Sequence, residues 1–385
     1  MRIVVPFGFY GWGNIGDEAT LNGFAQLLKQ SGIKAQVSAG SRNSPHTSRV
    51  EPSFRYFSTT SHDPRRWWAK YRATAHAVVG GTPIGDVLGD WPLSELTPLV
   101  RSIDRWKVPF AFVGVGDEGL RREKSRHLFA TEIAPRVCHW SVRCDRDRQR
   151  LLEYSVKPEA VSVAADMAWL IDPATPDFGL QRLLSWKIDP TKPLIGINLV
   201  NENLIFDQHP EMVKALADAL DQLIEELGAQ VIFLANEVRD DPAFDKAPAL
   251  VIVARMKRAA HAFIAPIEYL APRQMMSIIS QCRMTISMRY HFCLFSALQH
   301  VPFIAIVRSD KVSDLCWDVE WQAKVVPPAF EPAEIVAHAI RLMQSQPANE
   351  AFWSTTVAKM KQRALKNRVT LETLQTAAAV SAAGT

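Results

Sequence analysis

The chain contains 385 residues, of which 48% are apolar and 22% are charged, and its formal net charge is +4. A single hydrophobic core seldom grows beyond ~250–300 residues, so this length predicts two domains with a ligand site in the cleft between them. The net charge is too small to indicate a nucleic-acid-binding protein by itself, and the lack of ~18 consecutive apolar residues argues against a transmembrane segment.

Short apolar runs alternate with amphipathic segments in the first half of the chain. The predicted strands are RIVVPF, KAQVSA, HAVVGG, PFAFVGVG, CHWSVR and AVSVAAD. Helices are predicted near residues 17–30, 92–106, 123–134 and 145–154. This alternation is typical of a parallel sheet covered by helices.

A segment with four prolines, residues 172–193, predicts a domain boundary before a second series of elements. The strands predicted there are LIGINL, AQVIFLA, ALVIVAR, RMTISM and VPFIAIV, with helices near 209–226, 272–281 and 292–299. We therefore predict an α/β chain with two tandem Rossmann-like domains facing a cleft. The predicted segments are an N-terminal domain 1–175, a C-terminal domain 190–330, and helices in 331–385 that pack across both domains.

Residues 42–72 contain seven Arg or Lys and two acids, and include the run HDPRRWWAKYR. Such a segment could contact anionic glycans, lipid headgroups or RNA. The alternative is a solvated amphipathic helix whose tryptophans pack inward. The sequence therefore does not decide whether this segment makes peripheral contact with a membrane.

The segment Gly11–Gly16 has the spacing G-x-G-x-x-G between a predicted strand and a predicted helix. This pattern is typical of nicotinamide-cofactor loops, and Arg42 could meet the 2′-phosphate of NADP. However, Asp17 and Glu18 lie where helix amides would face a pyrophosphate, which their charges would repel. The acids favour a hydroxyl-rich ligand, and the alternative is a structural turn with Asp17 capping the helix.

Two more glycine turns follow predicted strands. Gly80 and Gly81 would let backbone amides approach a ligand closely, and Asp86 follows them; the other turn is VGVG, followed by Asp117. Three such turns at strand ends predict a lined cleft in the first domain.

Cationic residues follow strands in the second domain. Arg289 and His291 flank the turn in SMRYH, and Arg308 and Lys311 follow the next strand. Arginine matches a carboxylate or phosphate, and histidine can supply a proton near neutral pH. The alternative is that Arg289 binds neighbouring carbonyls and His291 is a core residue.

In this order, the motifs resemble the polysaccharide pyruvyl transferase family. They are GNIGDE at 13–18, VVGG followed by Asp86, VGVG at 113–116, VRCDRD at 142–147, AADMAWL at 164–170, GINL at 196–199, SMRYH at 287–291, and Lys311. The resemblance implies a fold like the B-type glycosyltransferases. It also implies transfer of pyruvate from phosphoenolpyruvate to two hydroxyls of a sugar as a ketal. The chain departs from the family pattern in having Ser287 where glycine is usual and Val200 where a basic residue is common.

The residue types and the resemblance together give a set of site predictions. Donor binding is predicted for Arg289, His291, Lys311, Gly80 and Gly81. Catalytic roles are predicted for His291, Arg289, Asp17 and Asp86. Acceptor binding is predicted for Asn14, Asp17, Glu18 and Trp91.

We expect no metal, no cofactor and no nucleic acid, with phosphoenolpyruvate as co-substrate and a sugar or lipid-linked oligosaccharide as acceptor. The five irregularly spaced cysteines are expected to be reduced in a cytoplasmic protein, and the oligomeric state is open. One rival is a nucleotide-sugar-dependent glycosyltransferase, in which Glu237 or Glu268 would bind a ribose. The other rival is a non-enzymatic glycan-binding protein.

Overall fold

The computed structural model describes residues 1–60, 62–87, 89–239 and 244–383. The chain forms two compact units. Unit 1 comprises Met1–Trp12, Asp17–Ile171 and Lys359–Thr385, and unit 2 comprises Gly13–Gly16 and Asp172–Ala358. The glycine-loop residues 13–16 therefore belong to a different unit from the acids that follow them.

Unit 1 is built on a parallel sheet. Its strands are β1 (Arg2–Val5), β2 (Gln36–Ser41), β3 (Arg55–Ser58), β4 (Ala75–Val79), β5 (Ile84–Gly85), β6 (Phe110–Val115), β7 (Asp117–Gly119), β8 (His139–Val142) and β9 (Val161–Val163). The sheet order is β3-β2-β1-β4-β6-β8-β9, and β5 pairs separately with β7. The helices are α1 (Ile15–Gln30), α2 (Ser44–Val50), α3 (Pro64–Tyr71), α4 (Leu93–Arg105), α5 (Glu123–Leu128) and α6 (Asp145–Glu153).

Unit 2 is built on a second parallel sheet, in the order β12-β11-β10-β13-β14-β15. Its strands are β10 (Leu194–Asn198), β11 (Gln230–Phe233), β12 (Ala262–Ile264), β13 (Met284–Ser287), β14 (Phe303–Ile306) and β15 (Lys324–Val325). Helices of the second half are α7 (Asp177–Ser185), α8 (Ile205–Gln208), α9 (Pro210–Leu227), α10 (Lys246–Arg255), α11 (Pro272–Ile279), α12 (Tyr290–Leu298), α13 (Asp310–Asp318), α14 (Pro332–Gln344), α15 (Gln346–Leu365) and α16 (Arg368–Ala383).

Both sheets have the doubly wound strand order, which reverses between β1 and β4 in unit 1 and between β10 and β13 in unit 2. Every residue of β4, β6, β8, β10, β13 and β14 is buried. Parallel sheets covered on both faces need such continuous apolar strands. Ligands of doubly wound sheets bind beyond the carboxyl ends of the strands, at the reversal.

The strand prediction ALVIVAR is wrong, because these residues form part of α10 (Lys246–Arg255). A short apolar run rich in β-branched residues fits a helix packed on a sheet as well as it fits a strand. The third strand of unit 2 is instead β12, which is only three residues long. The strand β3 was also missed, since it lies within the basic segment 42–72 and carries an exposed arginine at its start.

Helix α7 lies in the proline-containing segment 172–193 and packs closely on α11. A Cβ atom at Gly179 would lie 1.9 Å from the carbonyl oxygen of Ser277, whose hydroxyl accepts the Gly179 amide at 2.8 Å. We expect Gly179→Ala to lower the free energy of unfolding by ~1–3 kcal/mol through overpacking. At an open position in a helix, replacing glycine with alanine would normally raise the free energy of unfolding.

Denaturant unfolding of Gly179→Ala and wild type measures this difference. Leu184→Ala on the same helix is the control, since that side chain is 55% exposed and its loss should change stability by less than ~0.5 kcal/mol. Equal stability of Gly179→Ala and wild type would contradict the close approach of the two helices.

Candidate active site

Polar residues follow four neighbouring strands of unit 2 at their carboxyl ends, where parallel strands share one sheet edge. They are Asn198 at the end of β10, Asn236 and Glu237 after β11, Ser287 and Arg289 at β13, and Arg308 after β14. The sheet therefore gathers amide, hydroxyl, carboxylate and guanidinium groups at its ligand-binding edge.

A buried carboxylate connects several of these residues. The Oδ1 atom of Asp245 lies 2.5 Å from Nη2 and 3.1 Å from Nε of Arg289. Its Oδ2 atom accepts hydrogen bonds from Nδ2 of Asn198 at 2.8 Å and from the amides of Asn236 at 2.7 Å and Glu237 at 3.1 Å. We call these five residues the strand-end cluster. The guanidinium of Arg289 is thereby held in one orientation.

Arg289 keeps its charge although its side chain is only 12% exposed. Burial acts to lower the pKa of its guanidinium, but Asp245 and Glu237 outweigh this effect and hold the pKa above its usual value. Glu237 is 4.0 Å from Nη1 of Arg289 and also pairs with Arg239 at 2.7 Å. A fixed, charged guanidinium of this kind can bind a carboxylate or a phosphate.

Three cations act on one further carboxylate. Burial tends to raise the pKa of Glu202, but Arg308, Lys311 and Arg289 hold the pKa below its usual value. Arg308 also forms an ion pair with Glu202. Arg289, Arg308 and Lys311, here called the cation group, therefore lie within electrostatic reach of a single anion.

The turn after β13 is held by Ser287, which stands where glycine is usual. The hydroxyl of Ser287 donates to Oδ1 of Asn198 at 3.2 Å and accepts from the amide of Arg289 at 3.0 Å. Serine therefore links two members of the strand-end cluster. Val200, where a basic residue is common, is fully buried.

The loop residues 13–16 pack on unit 2. Oδ1 of Asn14 accepts from the amide of Gly16 at 2.9 Å and from Nδ2 of Asn236 at 3.1 Å. The amide of Ile15 donates to the carbonyl of Asn236 at 3.0 Å. The first amides of α1 are thus bonded within the protein, which removes the feature that a pyrophosphate-binding loop needs.

Two further contacts of the loop also argue against a nicotinamide cofactor. The Arg42 guanidinium lies over the ring of Trp12, 4.2 Å from its centroid. A Cβ atom at Gly11 would lie 2.2 Å from the amide nitrogen of Asn43. The first glycine is needed for chain packing, and Arg42 already has an aromatic partner.

His291, in the first turn of α12, lies against Gly16. A Cβ atom at Gly16 would be 2.1 Å from Nδ1 of His291, and the rings of His291 and Tyr290 are 5.1 Å apart. The structure therefore brings His291 to the loop that carries Asn14. Glycine is required at this position so that the imidazole can approach the backbone.

Of the predicted acceptor residues of unit 1, Asp17 and Glu18 lie in the first turn of α1 and Trp91 lies just ahead of α4. Glu18 is fully buried, and its Oε1 atom accepts from the amide of Gly11 at 2.7 Å and the hydroxyl of Thr47 at 3.1 Å. Asp17 is half-buried in the first turn of the helix. Trp91 is half-buried with its ring 5.3 Å from that of Phe9. Glu18 thus serves to hold the loop.

Asp86 is 6% exposed and holds the chain ahead of α5. Its two oxygens accept from the amides of Arg121 at 2.9 Å and Arg122 at 2.8 Å. Burial acts to raise the pKa of Asp86, but these two amides, together with the side chains of Ser125 and Arg122, outweigh it and lower the pKa. Both carboxylate oxygens are engaged by protein groups.

Gly80 and Gly81 have φ angles of +62° and +69°. A Cβ atom at Gly80 would lie 1.9 Å from Cγ2 of Thr20, so this turn packs tightly on α1. Both glycines lie in unit 1, whereas Arg289, His291 and Lys311 lie in unit 2.

Residues 14–310 match the polysaccharide pyruvyl transferase family. The chain belongs to this family. It is therefore a transferase, and the resemblance predicted from the ordered motifs is confirmed. The sequence has no significant match among curated proteins.

Solved structures with little sequence identity share the fold. The UDP-GlcNAc 2-epimerase of Neisseria meningitidis, bound to UDP-GlcNAc, is 11% identical with a TM-score of 0.63, covering 98% of this chain and 100% of that chain. The HepE protein of Anabaena, in complex with UDP and glucose, is 10% identical with a TM-score of 0.63 and the same coverage. A glycosyltransferase of Rickettsia africae is 12% identical with a TM-score of 0.57, covering 98% and 97%. The predicted α/β fold with two Rossmann-like domains of the B-type glycosyltransferase kind is confirmed.

Three motifs of the transferase meet in unit 1. Arg143 of VRCDRD pairs with Asp166 of AADMAWL at 2.7 Å, and their side chains are 9% and 0% exposed. The Nε atom of Arg143 also donates to the carbonyl of Gly114, in VGVG, at 3.1 Å. These motif residues form a buried ion pair under the glycine turn, which accounts for their joint presence.

Sequence reasoning missed Asp245 and assigned no role to Asn198, Asn236 or Glu202. Asn198 and Asn236 could have been noticed in the sequence, because Asn198 ends the buried strand β10 and Asn236 lies three residues after the end of β11. Asp245 had none, since it precedes α10, which was predicted to be a strand. No set of three metal-ligating side chains is placed to hold an ion in the described ranges.

We expect Gly16→Ala to lower both turnover and stability, because the new methyl group would displace the His291 imidazole. In the His291→Ala background, most of the stability loss should disappear, since the clashing ring is gone. Thermal unfolding of wild type, the two single variants and the double variant measures the coupling. A stability loss of equal size in both backgrounds would contradict the contact.

The carboxyl group of Asp117, which follows β6, is buried, and we therefore expect the stability of the protein to depend on pH. Burial raises the pKa of Asp117 to about 8, although the amide of Gly119, 2.5 Å from Oδ1, acts in the opposite direction. Between pH ~4 and 8 the folded state keeps a proton that the unfolded state has lost. Stability therefore falls as pH rises through this window, by at most ~1.4 kcal/mol per pH unit.

Replacing the carboxyl group with a neutral amide should remove this contribution. Denaturant unfolding of wild type and Asp117→Asn at several pH values between 5 and ~9 tests it. The difference in stability should move in favour of Asp117→Asn as pH rises, and parallel curves for the two proteins would contradict the assignment.

Proposed function

We propose that the transferase moves pyruvate from phosphoenolpyruvate onto two hydroxyls of a sugar of a cell-surface polysaccharide or its precursor. One observation carries the proposal: Asp245 fixes the charged guanidinium of Arg289 at the carboxyl edge of the unit 2 sheet. Arg308 and Lys311 supply further positive charge around Glu202. Phosphoenolpyruvate, with a carboxylate and a phosphate, needs cations of this kind.

The proposed reaction has two additions. An acid protonates the methylene carbon of phosphoenolpyruvate, which leaves an oxocarbenium-like centre at the neighbouring carbon. A sugar hydroxyl adds there and loses its proton to a base. Phosphate then leaves, and a second hydroxyl closes the ketal while its proton is taken up by the departing phosphate or a base. The products are the pyruvate ketal and inorganic phosphate.

The proposed roles follow from residue type and placement. Arg289 and Lys311 bind the anionic groups of the donor, and His291 binds an anion or acts as the general acid. Asp17 is the preferred hydroxyl-binding or basic carboxylate, because both oxygens of Asp86 already accept backbone amides. The reaction as written needs no cofactor or metal. The acceptor is a sugar or a lipid-linked oligosaccharide met in the cytoplasm.

The second candidate function is transfer from a nucleotide sugar. It is supported by the bound ligands of the similar structures, UDP-GlcNAc in one and UDP with glucose in the other. The two acids considered for a ribose are both paired within unit 2, Glu237 with Arg239 and Glu268 with Arg182. Phosphoenolpyruvate is therefore the preferred donor.

We expect phosphoenolpyruvate to raise the thermal unfolding temperature of wild type, because a ligand at 100 times its dissociation constant contributes ~2.7 kcal/mol. Arg289→Ala should abolish this shift and lower phosphate release from phosphoenolpyruvate with sugar acceptors by at least ~100-fold. Arg283→Ala is the matched control, since Arg283 is an exposed arginine just before the same strand.

A panel of phosphoenolpyruvate, UDP-sugars and NADPH separates the alternatives. A shift with UDP-sugars alone would replace the pyruvyl-transfer proposal with nucleotide-sugar transfer. A shift with NADPH alone would restore the cofactor loop. Wild-type turnover and donor affinity in Arg289→Ala would show that the donor site lies elsewhere.

A further inference from the structure

Large aromatic side chains lie exposed together on unit 1. Trp67, Trp68 and Tyr71 of α3 are 66%, 56% and 60% exposed, and Trp106, directly after α4, is 49% exposed. The Tyr71 ring lies 5.8, 6.3 and 6.3 Å from the rings of Trp67, Trp68 and Trp106. We call these four residues the aromatic patch. The interpretation that the tryptophans of this helix pack inward is wrong, and a contiguous exposed patch marks an interaction surface.

Basic residues surround the aromatic patch. They are Arg65, Arg66 and Lys70 on α3, Arg72 after it, and Arg105 and Lys107 on either side of Trp106. The acid directly before α3, Asp63, has a side chain that is only 6% exposed. It accepts the amides of Ser58 and Arg65 and pairs with the Arg65 guanidinium. The negative charge is used to anchor the helix, so the surface of α3 is cationic.

A cavity of about 260 Å³ lies beside α3. Its lining includes Arg2, Arg55, Arg72 and Trp68, together with Arg65, which pairs with Asp63, and no acid among the described residues lines it. The Arg72 guanidinium lies 5.4 Å from the centroid of the Trp68 ring. Guanidinium groups bind phosphate through paired hydrogen bonds, so this cavity fits the anionic headgroup of a phospholipid.

We infer that this surface docks unit 1 onto a membrane that contains anionic phospholipids. Tryptophan and tyrosine rings favour the headgroup region of a bilayer, and basic residues are attracted to its negative surface. Single-stranded nucleic acid also binds cations and aromatic rings. The net charge of +4 is small for a nucleic-acid-binding protein, and one face of the Trp67 ring is stacked on Tyr71. No helix in the described part of the chain is long and apolar enough to span a bilayer.

This inference does not depend on the donor of the transferase, and sedimentation with lipid vesicles tests it. The full-length chain should bind vesicles of phosphatidylcholine with phosphatidylglycerol, bind phosphatidylcholine alone weakly, and lose binding as salt rises. The double variant Arg66→Gln with Arg72→Gln should bind about 30-fold more weakly, since each basic residue near an anionic surface contributes a factor of about five.

The aromatic contribution needs its own variant and a matched control. Trp67→Ala combined with Trp68→Ala should weaken vesicle binding at every salt concentration. Trp317→Ala is the control, because Trp317 is 80% exposed on α13 between the acids Asp314 and Asp318. Unchanged thermal unfolding of the variants shows that they fold.

Several results would overturn the inference. Wild type that fails to bind the phosphatidylglycerol vesicles, or patch variants that bind as wild type does, would exclude a membrane-docking role. An equal loss in Trp317→Ala would show that binding is not located at the aromatic patch. Tight binding of a single-stranded RNA oligonucleotide without vesicle binding would assign the surface to nucleic acid.

Discussion

The pair formed by Asp245 and Arg289 determines the arrangement of the strand-end cluster. A buried guanidinium that lost its carboxylate would cost ~3–5 kcal/mol, and a buried carboxylate without donors would be similarly unfavourable. Asp245 avoids this cost by accepting from Arg289 on one oxygen and from the ends of β10 and β11 on the other. The turn after β13 therefore takes its conformation from a residue 44 positions earlier in the chain.

Carboxylates of the protein itself balance the positive charge of the cation group. Glu202 pairs with Arg308 and is also stabilised by Lys311 and Arg289. Asp245 and Glu237 balance Arg289 from the other side. An anionic donor that bound these cations would have to compete with Glu202, whose side chain is 40% exposed and is the most accessible of the three carboxylates.

Some carboxylates that resembled ligand-binding groups in the sequence instead support loops of the protein. Glu18 and Asp86 resembled ligand-binding acids in sequence, yet their oxygens accept backbone amides at 2.7–2.9 Å within unit 1. Carboxylates placed in this way hold loops, because amide hydrogen bonds to a buried charge are strong and directional. Asp17 differs from both in being only half-buried, although it shares the first turn of α1 with Glu18.

Much of the fold could be predicted because buried parallel strands are mostly apolar, and every residue of β4, β6, β10, β13 and β14 is buried. The turn that carries Arg289 and His291 could be predicted for the same reason, since it follows β13 directly. The elements that failed were short or ambiguous. β12 spans three residues, and α10 has the composition of a strand. Asp245 precedes α10, so its position at the sheet edge depended on a helix that the pattern did not indicate.

The glycine spacing of the first loop shows why a pattern alone cannot decide between ligands. Gly11 is required because a side chain would meet the amide of Asn43, and Gly13 has a φ of +100°. Gly16 is required because the His291 ring occupies the space of a Cβ atom. Two packing constraints and one backbone constraint thus produce the spacing of a dinucleotide loop. Between the last two glycines, Asn14 is the informative residue. Its side-chain oxygen accepts from the amide of Gly16 and from Nδ2 of Asn236, so the Gly16 amide is not available to a phosphate.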